Sequence, residues 1–372
     1  MRTEAAPVPL SGPYFDEREE AAVLEVLRSG RLSLGPTIDR FEELFAEKVG
    51  VPYAAAVSSG TAGLHLLCIT AGIQAGDEVI TSPYSFAASA NCFIYEGATP
   101  VFADVDARTL NMDPAAVEAA ITPRTTAIVA VDIYGYPCEQ DELRAIADRH
   151  GLALVDDSCE ALGARYKGAP VGSQGTPAVF AFYPNKQIST GEGGIVTTHS
   201  EHEWRLLRSL RNQGRGDSGG WLEHVRLGYN YRLDDIGAAL GIAQLEKLDE
   251  ILPLRDAVAQ RYNELLAGID GVELPCANDS EHTRSWFVYV VRLPDNESRE
   301  RVIAHFERER IGFNRYLPSI HLQPYMRERY GFREGLCPVS EDASARSLAL
   351  PFFTALERDA QERVVEALAA AL

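Results

Sequence analysis

The sequence has little positive charge and no long hydrophobic run. Its 35 Lys and Arg residues stand against 54 Asp and Glu, which gives a formal net charge of -19. Such a chain repels nucleic-acid phosphates and anionic lipid surfaces, so we expect no nucleic-acid or membrane partner. No stretch approaches the roughly 18 apolar residues that span a bilayer. Segment 1–13 carries prolines and charges, unlike a secretory signal, so a cytoplasmic protein is expected.

Cysteine is also scarce. The six cysteines include no CxxC pair and no short scaffold for disulfides, so we expect reduced, mostly buried thiols and no metal ion in the functional site. Internal repeats, low-complexity tracts and flexible linkers are absent. With 372 residues, of which 46% are hydrophobic, the chain is long enough for one large domain and a smaller one.

Short apolar runs alternate with longer helical patterns along most of the chain. The runs cover 53–57, 78–81, 100–103, 127–131, 153–155, 178–182 and 194–197. This alternation predicts an α/β fold, with a mainly parallel sheet covered by helices on both faces. In such a sheet the loops at the carboxyl ends of the strands form the ligand crevice.

The C-terminal third begins a second α/β pattern. A long helix predicted over about 234–252 leads out of the large domain, and an apolar run at 285–293 is followed by a charged helix. We place the domain boundary near Glu250, which gives a large domain over 1–250 and a small C-terminal domain over 251–372.

Two polar segments lie at the expected ligand edge of the sheet. In the segment SSGT at 58–61, amides at a helix start, with Gly60 permitting close approach, suit a phosphate group. The same residues also make an ordinary N-cap without a ligand. The run at 153–155 ends in Asp156 and Asp157, where a buried acid can hold a pyridine nitrogen protonated. Strand ends are also rich in acidic helix caps.

One lysine lies between two apolar runs. Lys186, in FYPNKQISTGEGG, follows an aromatic strand end and precedes a glycine cluster. A lone lysine in a loop is ordinarily a solvated charge, but exclusion of water here favours a neutral amine that can form a Schiff base. We call segment 58–61 the phosphate nest. The order along the chain of this phosphate nest, the acid and then the lysine predicts an enzyme of fold type I with pyridoxal phosphate (PLP) as cofactor.

Together these motifs resemble the DegT/DnrJ/EryC1/StrS family of sugar aminotransferases, and within it the branch that contains GDP-perosamine synthase. The resemblance covers almost the whole chain. It implies a fold type I PLP-dependent transferase with a large PLP-binding domain and a smaller C-terminal α/β domain. The ordered segments that carry it are SGRLSLGP, FEELFAEKVGV, SSGTAGLHL, GDEVITSPYSF, DSCEALGA, FYPNKQISTGEGG, LGYNYRLDDIGAALGIAQLEKLDE and PSIHLQPY.

The resemblance implies roles for residues around the cofactor ring. Lys186 would bond to the PLP aldehyde and later move a proton between substrate and cofactor. Asp157 would pair with the ring nitrogen, which leaves Asp156 as its structural neighbour. Glu160 would lie near the ring hydroxyl, and Phe86 would stack on the ring, although by itself Phe86 is an ordinary core aromatic.

Further roles concern the phosphate, the substrate and the assembly. The resemblance implies that the phosphate is gripped by the start of one helix, at Gly60, Thr61 and Ala62. Asn230, in GYNYR, would reach the phosphate from a neighbouring subunit, so a homodimer with shared active sites is expected. Tyr316 and His321 would lie near the sugar nucleotide, although a lone histidine beside prolines is commonly structural.

Three residues depart from the family's pattern. Ala181 stands where many relatives have a serine that holds the cofactor phosphate. Asp132 stands where histidine is frequent, and Glu160 replaces a frequent glutamine or histidine. These differences bear on substrate detail more than on cofactor use.

The resemblance implies a transaminase with glutamate as donor and a keto sugar nucleotide as acceptor. A 4-keto-6-deoxyhexose is the first choice, and 3-keto sugars and keto cyclitols are alternatives. A sugar dehydratase of this fold carries histidine in place of the lysine, so Lys186 argues against it. A PLP-fold regulator without turnover would need an added basic DNA-binding module, for which the chain has neither spare length nor charge.

Overall fold

The computed structural model describes residues 6–216 and 223–372, and strands alternate with helices as the sequence predicts. The strands are β1 (Tyr53–Val57), β2 (Glu78–Thr81), β3 (Thr99–Phe102), β4 (Thr125–Val131), β5 (Ala153–Asp157), β6 (Arg165–Tyr166), β7 (Ala169–Pro170), β8 (Ala178–Ala181), β9 (Gly194–Thr198), β10 (His282–Thr283), β11 (Tyr289–Arg292) and β12 (Ser347–Leu350). The helices are α1 (Glu17–Ser29), α2 (Pro36–Val49), α3 (Gly60–Thr70), α4 (Ala88–Ile94), α5 (Pro114–Ala120), α6 (Gln140–His150), α7 (Glu201–Arg211), α8 (Asp235–Glu246), α9 (Leu248–Leu266), α10 (Asn296–Glu309), α11 (Pro324–Tyr330), α12 (Pro338–Arg346) and α13 (Arg358–Ala371).

The main sheet has seven strands in the order β1-β9-β8-β5-β4-β2-β3. Strand β9 runs antiparallel to both of its neighbours, and the remaining neighbours pair in parallel. The prediction of an α/β fold with a mainly parallel sheet is therefore confirmed. Because six strands share one direction, their carboxyl ends meet at one edge of the sheet.

Both faces of this sheet are covered by helices. Successive side chains of a strand point to opposite faces. In β8, Val179 packs in the same hydrophobic cluster as residues of α3, whereas Phe180 packs with residues of α2 and α8. Farther along the sheet, Ile128 of β4 packs with residues of α6. Strands buried on both sides explain why the apolar runs are nearly continuous.

The helical pattern at 234–252 differs from the prediction, because it is divided between α8 and α9. Lys247 lies between them and is fully buried. Its Nζ lies 3.0 Å from Asp16 Oδ2 and 2.8 Å from Glu19 Oε1, so a buried cation ties this junction to the start of α1. The spacing of hydrophobic residues, from which one long helix was predicted, does not reveal an ion pair with a distant part of the sequence.

The C-terminal residues build a second core. Strands β11 and β12 pair antiparallel, and a hydrophobic cluster joins them to α9, α10 and α13. Val8, near the start of the chain, also belongs to this cluster and pairs with Ile311. The expected boundary at residue 250 falls inside α9 and stays a prediction.

Candidate active site

Loops from the carboxyl ends of β1, β2, β5 and β8 surround one cavity of about 480 Å³. Four segments that are distant in sequence meet there because parallel strands end at the same edge of the sheet. Among the residues predicted from the sequence, the cavity is lined by Gly60, Thr61, Phe86, Asp157, Glu160, Lys186 and Tyr316.

Lys186 lies in the turn that follows β8, and its backbone N–H donates to the Tyr183 carbonyl at 2.9 Å. Only 13% of its side chain is exposed. Its Nζ lies 3.5 Å from Glu160 Oε1 and 3.8 Å from the centre of the Phe287 ring. The amine is thus held at the cavity wall by one acid and one aromatic face, where little water competes for it.

Asp157 is the last residue of β5 and is buried at the base of the cavity. Its Oδ2 accepts a hydrogen bond from the Ser89 hydroxyl at 2.6 Å, and its Oδ1 accepts the Cys159 N–H at 3.3 Å. These neutral donors fix the orientation of the carboxylate. Asp156 points to the opposite face and does not line the cavity.

Helix α3 begins at Gly60 and directs its N-terminus at the cavity. Ser59 caps the helix, because its Oγ accepts the Ala62 N–H at 3.1 Å. A Cβ on Gly60 would lie 2.8 Å from both Cys159 Sγ and Ala181 Cβ, so glycine is required for close packing. The first amides of a helix have no partner within it, and they suit an anion such as phosphate.

Glu160 is held by a backbone conformation that is rare for a bulky residue. Its Oε2 accepts the N–H of Tyr134 at 2.8 Å, and Tyr134 has φ 55° in the left-handed region. Burial raises the pKa of Glu160, and the Lys186 charge and the Tyr134 N–H oppose the rise. The Glu160 carboxyl group is thus held beside the Lys186 amine.

Tyr316 closes another side of the cavity. Its hydroxyl accepts a hydrogen bond from Asn185 Nδ2 at 3.3 Å, and burial raises its pKa to about 12. The phenol therefore stays neutral and can donate to a ligand. Phe287 and Tyr134 are functional candidates that sequence reasoning missed. Apart from its strand pattern, the run at 285–293 gave no signal that Phe287 contacts the lysine.

Asn230 does not line the cavity of its own chain, and its side chain is exposed. The flanking Tyr229 and Tyr231 stack on each other at 5.0 Å and contact the buried His65. The Tyr231 carbonyl accepts the Ser58 N–H at 2.8 Å, directly before the start of α3. The segment is thus anchored beside the start of α3, while the Asn230 side chain is exposed.

His321 is also outside the cavity. It is fully buried, and its Nε2 lies 2.9 Å from Glu341 Oε1. Glu341 further accepts the N–H groups of Gly335 and Cys337. In the described ranges the histidine thus belongs to a packed hydrogen-bond network, and its expected role near the sugar nucleotide stays a prediction.

The residues present fit PLP. The cavity offers an amine for the aldehyde at Lys186, an acid for the ring nitrogen at Asp157 and a helix N-terminus for the phosphate at Gly60. Its volume lies within the range usual for cofactor sites. Ala181 brings no hydroxyl to the phosphate end of the cavity.

Within 6–216 and 223–372, no helix combines the length and apolarity needed to cross a membrane.

The chain is similar to known proteins over nearly its whole length. A model of the DegT/DnrJ/EryC1/StrS aminotransferase family matches residues 13–369. The spore coat polysaccharide biosynthesis protein SpsC of Bacillus subtilis (strain 168) is 37% identical over 374 residues, which cover 97% of this chain and 96% of SpsC.

Solved structures are similar over nearly their whole length. S. venezuelae DesV, in complex with a ketimine intermediate, has a TM-score of 0.91 and 35% identity, with 98% of both chains covered. Spr1654 from Streptococcus pneumoniae, in its PLP form, has a TM-score of 0.93 and 27% identity, again with 98% of both chains covered. A PMP form of the same protein matches equally well, with a TM-score of 0.93.

Proposed function

The chain belongs to the DegT/DnrJ/EryC1/StrS aminotransferase family and is a PLP-dependent enzyme, and from this premise we propose that it transfers an amino group from glutamate to a keto sugar nucleotide. A 4-keto-6-deoxyhexose is the proposed acceptor, in line with the preference that the family resemblance implies. The observation that carries the proposal is the single cavity shared by Lys186, Asp157 and the start of α3.

Lys186 has two proposed tasks. When bound, PLP supplies an aldehyde that takes up the amino group and a ring that accepts electrons from the broken C–H bond. Lys186 would hold the cofactor through its amine, and once displaced by the donor it would take the proton from the substrate carbon and deliver it to the cofactor carbon. Its 3.5 Å contact with Glu160 and the Phe287 ring keep the amine at the cavity wall.

Asp157 and Phe86 are proposed to orient the cofactor ring. The Asp157 carboxylate, fixed by the Ser89 hydroxyl, pairs with the ring nitrogen. Phe86 lies at the cavity wall with 66% of its surface exposed, so its face is available for stacking. Glu160 is proposed to lie near the ring hydroxyl, and its contact with Lys186 supports this proposal.

The phosphate is proposed to lie at the start of α3, against the amides of Gly60, Thr61 and Ala62, of which the Ala62 N–H also donates to Ser59 Oγ. We propose that Asn230 completes the phosphate site of the partner subunit in a homodimer. Two observations support this: the Asn230 side chain is exposed, and a backbone hydrogen bond anchors its segment beside the start of α3. Tyr316 lines the cavity and is proposed to contact the substrate.

The proposal of a sugar acceptor is supported by the relatives of this chain. SpsC, at 37% identity, is described as a spore coat polysaccharide biosynthesis protein. Fold alone does not determine a substrate, so the acceptor needs a direct test. We propose to convert the PLP enzyme to its pyridoxamine phosphate form with glutamate, followed by absorbance, and then to add candidate ketones one at a time.

The panel would contain nucleotide-linked 4-keto-6-deoxyhexoses, nucleotide-linked 3-keto sugars and keto cyclitols. We expect the 4-keto sugars to restore the PLP absorbance fastest. Lys186→Ala should fail to convert with glutamate, whereas Lys167→Ala, at an exposed lysine, should react normally. A faster return of the PLP absorbance with a 3-keto sugar or a keto cyclitol would overturn the proposed acceptor. If glutamate does not convert the enzyme to its pyridoxamine phosphate form, the proposed donor is wrong.

A further inference from the structure

A buried cluster of two acids and a thiol lies beside Asp157, the residue that is proposed to pair with the ring nitrogen. Asp156 precedes Asp157 in β5, and Asp132 directly follows β4. One ligand atom each of Asp132, Asp156 and Cys138 lies within 4.8 Å of the others, and all three residues are buried. Two carboxyl groups therefore face each other in the protein interior, on the side of the sheet away from the cavity.

The donors that reach these two acids are neutral. Asp132 accepts the Cys138 N–H at 2.8 Å and the Ser158 hydroxyl at 2.9 Å, and Asp156 Oδ2 accepts Gln140 Nε2 at 2.8 Å. In the described part of the chain, no ion pair joins either acid to a basic side chain. Nothing there compensates two negative charges.

The remaining oxygen of Asp156 shows where a proton fits. Asp156 Oδ1 is buried and has no hydrogen-bond partner among the described residues. An unpaired buried acceptor is costly, and two adjacent carboxylates in a dry interior cannot both stay ionised. A proton on this oxygen turns it into a donor and makes a hydrogen bond to Asp132 available.

We propose that Asp132 and Asp156 share one proton at neutral pH, and that this pair, with a single negative charge, is a positioning device for Asp157. The Asp132 N–H donates to the Asp157 carbonyl at 3.2 Å, and its carboxyl group holds Ser158, the next residue. The pair thereby fixes the end of β5, where Asp157 lies. This role for Asp157 rests on the proposed function, whereas the shared proton does not.

Electrostatics favour a proton over a metal ion at this place. Burial raises the pKa of Asp132 to about 6, and burial together with the charges of Asp132 and Asp157 raises the pKa of Asp156 well above its usual range. Cys138 is the titratable group beside the pair, and Asp157 acts on it through its charge from the other face of the sheet. Burial also raises the pKa of the Cys138 thiol, which therefore does not offer the thiolate that a metal ion binds.

Infrared spectroscopy of the purified protein tests the shared proton directly. At neutral pH we expect the carbonyl-stretch band of one protonated carboxylic acid, and Asp156→Asn should remove it. Asp148→Asn, at an exposed acid of α6, should leave the band in place. If Asp156→Asn does not fold, the wild-type band must still disappear on alkaline titration with a stoichiometry of one. Because the apoprotein suffices, this result is independent of cofactor and substrate.

The positioning role has a second readout. Asparagine resembles a protonated aspartic acid and can donate to Asp132, whereas alanine leaves Asp132 without that donor. We therefore expect Asp156→Ala to weaken PLP binding about tenfold and Asp156→Asn to weaken it less. Equal losses in the two variants would overturn the positioning role. The absence of a protonated-acid band, or a stoichiometric divalent cation that a chelator removes, would overturn the shared proton.

Discussion

Gly60 begins α3 at the point where the helix meets the cavity, so Gly60→Ala tests whether this backbone holds the cofactor phosphate. The added Cβ would lie 2.8 Å from Cys159 Sγ and 2.8 Å from Ala181 Cβ. Ala181 ends β8 and has no flexible side chain that can move away. The first turn of α3 must therefore shift out of its place.

Overpacking of this kind costs about 1–3 kcal/mol. If the shift displaces the amides that bind phosphate, the PLP dissociation constant should rise about fivefold to about 150-fold, since about 1.4 kcal/mol corresponds to a factor of ten. The assay is a titration of the apoprotein with PLP, followed by absorbance, together with a thermal unfolding curve of the apoprotein.

Gly63→Ala is the matched control. Its Cβ would lie 2.7 Å from Val179 Cγ1, a similar clash in the same helix, but it faces the sheet and not the cavity. We expect both variants to lower the melting temperature and only Gly60→Ala to weaken PLP strongly. Cys159→Ala in the Gly60→Ala background should recover part of the affinity. Equal PLP affinities in the two single variants would refute the phosphate nest.

Three further outcomes follow from the geometry. Lys186→Ala and Asn230→Ala should each be inactive alone. When the two variants are mixed and refolded, activity should return, because each hybrid dimer would hold one site with both residues intact. If no activity returns, the two subunits do not share their active sites. His321→Ala should lose about 1–3 kcal/mol of stability with its Glu341 contact and leave KM for the acceptor unchanged, and a raised KM would show substrate contact. Burial raises the pKa of Asp132 from 3.8 to about 6. Its contribution to the free energy of unfolding is therefore complete below pH 3.8 and is lost as the pH rises through about 6. The free energy of unfolding, measured by chemical denaturation, should therefore fall over this window by about 3 kcal/mol more in the wild type than in Asp132→Asn.

The sequence predicted the strands well because buried parallel strands are short and apolar on both sides. The runs at 53–57 and 78–81 coincide with β1 and β2, and the other main-sheet runs differ by one or two residues at their ends. The ends depend on where hydrogen bonding stops, which apolar composition does not encode. The break between α8 and α9 depends on Lys247, whose partners lie more than two hundred residues away.

The site was predictable where its residues follow strand ends. Lys186 and Asp157 lie at such ends, and fold geometry alone brings them to one edge. Phe287 and Tyr134 were missed because packing between distant segments brings Phe287 to the lysine, and a left-handed φ turns the Tyr134 N–H toward Glu160. The burial of His321 likewise depends on a helix more than fifteen residues farther on.

The most direct test of the account is to reduce the PLP-loaded protein with borohydride and locate the modified peptide by mass spectrometry. We expect one reduced PLP adduct per chain, attached to the amine of Lys186. Attachment to another lysine, or no covalent attachment at all, would contradict the assignment of this cavity as the active site.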